Sequence, residues 1–82
     1  MPYINPDKRP DLDKIVNQIP KSLPYGELNY LITRILMKQY ASYDYLEIMD
    51  ILGTLEAVKL EFYRRVAVPY ETAKCLGNGD VY

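Results

Sequence analysis

Glu56 and Lys59 stand out first among the residues that could do chemistry, because they lie three apart in an otherwise apolar helical run. Side chains at that spacing on a helix are neighbours, so the acid and the base can pair or together hold a polar ligand. A buried ion pair is a poor source of stability, since desolvation offsets the attraction, and groups placed this way are candidates for ligand contacts. The plainer reading is a salt bridge at an interface rim, with both charged ends reaching water. Asn29 falls at the edge of the preceding apolar stripe, where it could meet this pair. Arg64 and Arg65 come next, flanked by Tyr63 and Tyr70. A guanidinium donates two parallel hydrogen bonds to phosphate or carboxylate. Adjacent helical residues point about 100° apart, so the two arginines cannot serve one anion unaided. Glu61 is the simpler partner for Arg65, one turn ahead of it, and the only local acid for Arg64.

Glu47 and Asp50 set two carboxylates one turn apart, and Glu27 lies on the helix before them. With Glu27 they are similar to the acid clusters of the all-α nucleoside triphosphate pyrophosphohydrolases, helical bundles that assemble by dimerisation. The resemblance implies magnesium held by hard oxygen ligands, clamping phosphates. It is confined to these residues. That family places a second acidic pair on the preceding helix, where Glu27-Leu28-Asn29-Tyr30 supplies one carboxylate only. Glu47 and Asp50 also fall on the polar side of their helix, which favours a solvated face. Cys75, in a chain without histidine, reads as a small apolar contact. Lys59 would suit Schiff-base or proton-transfer chemistry only if desolvated.

The composition narrows the field further. Histidine is absent, which removes the usual imidazole base, the Ser-His and Cys-His nucleophiles and most transition-metal sites. One cysteine allows no internal disulfide. Ten basic and eleven acidic residues nearly cancel, which argues against sequence-independent nucleic-acid binding. No segment has the length and apolarity of a membrane span, and the opening residues lack the apolar core of a secretory signal. A cytoplasmic protein is expected. Nine tyrosines stand against one phenylalanine and no tryptophan. Tyrosine joins an apolar body to a polar tip and suits interfaces and ligand pockets, or the rim of a small core.

The elements that must position these groups are all helical. An extended arm is expected over residues 1–9, then a short helix from Pro10 with Leu12, Ile15, Val16 and Ile19 on one side, ended by Pro20. A second helix runs from about Pro24 to Tyr40, with Leu28, Leu31, Ile32, Ile35 and Leu36 at helical spacing. Ser42 is a candidate cap for a third helix that continues to Val68, where Pro69 stops it, with Gly53 a possible kink. A last turn over Tyr70 to Leu76 closes on Gly77, leaving residues 77–82 as a tail. On the third helix Ile48, Ile51, Leu52, Leu55, Val58, Phe62 and Val66 share a broad face that Tyr45, Met49, Leu60 and Tyr63 widen past a half-turn. A helix so apolar is packed on more than one side. Two other helices in 82 residues can hardly cover it, so a homodimer or higher symmetric oligomer is expected.

The whole chain resembles a family of small uncharacterised proteins of bacteria and tailed phages. The likeness lies in Met1-Pro2-Tyr3-Ile4, Gly26-Glu27-Leu28-Asn29-Tyr30, the run Leu55 to Arg65, Pro69-Tyr70-Glu71 and the closing Asn78-Gly79-Asp80-Val81-Tyr82. It implies no activity; a phage setting would suit capture of a nucleotide signal or of a host protein. The expectation is an all-α, three-helix domain completed by oligomerisation. Its function would be binding rather than catalysis. An anionic or nucleotide-like ligand would be held by Asn29, Glu56, Lys59 and Arg64, with Tyr63 and Tyr70 as walls. No cofactor is expected. The alternatives are a magnesium-dependent nucleotide pyrophosphohydrolase using Glu27, Glu47, Asp50 and Glu56, and a module that binds a host protein.

Overall fold

The computed structural model describes residues 4–42 and 44–82, so the expected arm at 1–3 lies outside the described residues. Every regular element among them is helical: α1 (Arg9–Val16), α2 (Tyr25–Gln39), α3 (Tyr45–Phe62) and α4 (Val68–Asn78). The chain divides into two units between Thr33 and Arg34, within α2.

In the first unit the rest of the arm is not extended. Pro6–Lys8 form a single 3₁₀ turn, with Lys8 N–H donating to Asn5 O at 3.0 Å, and lead straight into α1. Proline's fixed φ suits such a first turn. α1 ends at Val16, short of Pro20. Its close tightens into three-residue bonds, Gln18 to Ile15 at 3.2 Å and Ile19 to Val16 at 3.0 Å, because Pro20 disfavours helical geometry in the residue before it. Ser22 then takes φ 58° in the connector. α2 starts as expected, with Leu28 N–H on Pro24 O at 3.0 Å. Thr33 Oγ1 donates to Asn29 O at 2.8 Å.

In the second unit α2 ends on a shared bond, Tyr40 N–H reaching Leu36 O and Met37 O. The cap of α3 is Asp44, not Ser42: its Oδ1 accepts from Glu47 N–H at 2.8 Å. Asp44-x-x-Glu47 has the spacing of a capping box, but the Glu47 carboxylate reaches past the cap to the Ala41 and Ser42 amides. α3 runs unbroken through Gly53. Pro69 does not stop the helix. The chain takes a single π-turn over Tyr63–Ala67, with Val68 N–H donating to Tyr63 O, and continues as α4. Proline lacks the N–H that would reach Arg65 O, and its ring crowds that carbonyl; the wider turn ahead of it makes room. The long C-terminal helix therefore spans Tyr45 to Asn78. It ends at Gly79 rather than Gly77, because Gly79 has φ 88° and donates its N–H to Cys75 O at 2.9 Å.

Among the described residues no side chain is buried. Leu46, Leu52, Val58, Leu60, Phe62 and Tyr63 of the long helix are each more than half exposed. No helix among them is long and apolar enough to cross a membrane.

Candidate functional site

The structure gathers two side-chain clusters in the second unit, each around one glutamate. At the start of α3, Glu47 accepts from the backbone N–H groups of Ala41 and Ser42 and from Ser42 Oγ at 2.7 Å. These bonds favour the ionised carboxylate, so its pKa is held below the ordinary value, the Ser42 hydroxyl contributing most. Both oxygens are engaged by the segment just before the Asp44 cap. Among the described residues no three His, Cys, Asp or Glu side chains stand where they could share a metal ion. Glu27 lies in the first unit, Glu47 and Asp50 in the second.

The second cluster sits where α3 meets the π-turn. Glu61 accepts from Arg64 Nη2 at 2.7 Å and Nε at 3.2 Å, and from Arg65 Nε at 2.8 Å. Two neighbouring arginines do reach one anion here, because that anion lies on the turn before them and their long stems bend back to it. Arg65's bond, followed by Arg64's, keeps the Glu61 carboxyl below its usual range. The group carries one net positive charge. Arg64 grips Glu61 through Nε and Nη2, and no described residue bonds its Nη1. Both arginines are more than half exposed, whereas Glu61 is only 23% exposed.

Glu56 and Lys59 pair as their spacing suggested, Lys59 Nζ lying 3.6 Å from Glu56 Oε1. They are open to water, at 57% and 73% exposed. Asn29 belongs to the first unit, where Thr33 Oγ1 also lies 3.4 Å from its Oδ1. Tyr70 receives Lys74, whose Nζ is 5.5 Å from the ring centre, a cation–π contact. A π-turn acts as one inserted residue, rotating everything after it by about 100°. Tyr70 is therefore turned off the stripe that Lys59 and Tyr63 share, and the two tyrosines do not form opposed walls along one helix face. An open groove of about 520 Å³ lies elsewhere, between the end of α4 and the tail, lined by residues that include Glu71, Cys75 and Tyr82. None of the six expected ligand residues lines it.

Sequence reasoning undervalued Glu61, the residue that organises the arginines, and the Ser42–Glu47 clasp. The signal for the α3 cap was present in the spacing of Asp44 and Glu47.

A family model for a domain of unknown function, DUF6899, matches residues 1–81. The chain belongs to the DUF6899 family. No curated protein and no solved structure matches it. The match agrees with the resemblance to a small uncharacterised family and leaves a phage origin and the pyrophosphohydrolase likeness without support.

Proposed function

We propose that this protein is a small homo-oligomeric binding module that takes an anionic, nucleotide-like ligand at Arg64. The observation that carries the reading is the Glu61 cluster: a guanidinium held in place by its own carboxylate, one donor edge still open, a second arginine beside it. A pre-oriented guanidinium loses less freedom on meeting a phosphate, which favours binding. The helical bundle would be completed by other copies, since no described side chain is buried in one chain.

The test is a thermal-shift series with ATP, GTP, cyclic dinucleotides and inorganic phosphate, on the intact chain and on Arg64→Gln. A ligand present at 100 times its dissociation constant stabilises by about 2.7 kcal/mol, which is roughly 10 °C or more for a domain of this size. The shift should vanish in Arg64→Gln. An unmoved transition with every compound removes the anion reading.

A further inference from the structure

We propose that two copies of this chain pair antiparallel through α3. The two-fold axis would pass midway between Glu56 and Lys59, so that each Glu56 meets the partner's Lys59. The proposal deepens the oligomeric reading above and rests on it.

The spacing along α3 carries the proposal. Tyr45, Met49, Leu52, Glu56, Lys59 and Tyr63 follow one another at alternating steps of four and three. That is the pattern of a helix seam that meets another helix. At about 100° per residue, this stripe runs opposite Glu47, Asp50, Thr54 and Glu61, the polar side of the helix. Glu56 and Lys59 are thus not at the rim of the apolar arc but at its centre. Within their own unit Glu56 and Lys59 stand open, and Leu52 and Tyr63 on either side are more than half exposed.

The charges choose the partner and its direction. A parallel pairing in register sets Glu56 on Glu56 and Lys59 on Lys59, two repulsive layers. An antiparallel pairing about the midpoint sets Glu56 on the partner's Lys59 twice over, and Leu52 on the partner's Tyr63 twice over. The face is complementary to itself in that orientation, as a two-fold interface must be. A polar layer inside an apolar seam costs stability and fixes register. The stripe from Leu52 to Tyr63 also ends where the π-turn rotates the helix, so the seam is bounded at that end.

Sedimentation equilibrium on the full chain and on charge-reversed variants tests the pairing. The wild-type chain should sediment as a dimer. Glu56→Lys and Lys59→Glu should each weaken association at least about tenfold, because each sets like charges across the axis twice. The double variant should recover it. An equimolar mixture of the two single variants should form a heterodimer, since one chain then presents two lysines and the other two glutamates. The mixture keeps the test decisive even where either variant alone folds poorly. A monomeric wild-type chain overturns both this pairing and the oligomeric reading. A dimer whose affinity is unchanged in Glu56→Lys, or single variants that fail to associate on mixing, overturns the α3 pairing and leaves the oligomeric reading standing.

Discussion

Arg65 Nε donates to Glu61 Oε2 across 2.8 Å, from one helical turn further along the chain. With Arg64 on the same carboxylate, this bond ties the end of α3 to the π-turn. The Glu61 pKa is lowered in the folded chain, so its contribution to stability is full above the ordinary carboxylate value, about 4.3. It is lost as pH falls through the depressed value. Helicity followed by circular dichroism should therefore fall on acidification below about pH 4. Glu61→Gln should flatten that part of the curve, and so should 1 M salt, because the ion pairs are exposed and screened. A curve unchanged in the variant would show that the pairs do not support the helix.

The Asp44 cap and the Glu47 clasp should be separable. Asp44→Ala removes the acceptor for Glu47 N–H and should cost about 1 kcal/mol, seen as a midpoint about 4–8 °C lower. Glu47→Gln leaves that cap in place but loses charge at the Ala41 and Ser42 amides. Hydrogen exchange at those two amides should quicken several-fold while the middle of α3 is unaffected. Equal exchange in the two proteins would mean that the clasp adds nothing to the cap.

Gly53 lies inside α3 with nothing within 4 Å of where a Cβ would sit. Alanine there meets no clash and restrains the unfolded chain, so Gly53→Ala should stabilise by about 0.5–1 kcal/mol. Chemical denaturation would show a higher midpoint at unchanged slope. A loss of stability would mean that another chain needs the close approach glycine allows.

Gly79 holds φ 88° and ψ 151°, a conformation close to glycine-only. Gly79→Ala should cost about 1–3 kcal/mol locally, released as fraying of the last turn of α4. The signature is faster amide exchange at Gly79 and its neighbours, with α3 protected as before. An unaltered C-terminal turn would contradict the strain.

Much of this molecule was legible in its residues. Apolar spacing, Pro10 in the first turn of α1 and Pro24 before α2 marked three helical segments, because helical periodicity and the missing proline N–H act within a turn of the chain. The same local reasoning paired Glu56 with Lys59 and Glu61 with Arg65, each within one turn. The absence of histidine closed off whole classes of chemistry without any coordinates.

Other features needed the structure, for reasons that reach beyond one residue's preference. Pro69 looks like a stop, but neighbouring turns can widen to absorb its ring, and only the actual hydrogen bonds showed a π-turn. That turn rotated Tyr70 away from Tyr63, which no regular helical wheel contains. Ser42 and Asp44 are both good caps by type, and the competition between them was decided by which side chain reached Glu47 N–H. Exposure is the last case. An apolar residue type says that burial is favourable, and only the coordinates show that the described residues of its own unit leave the α3 face open.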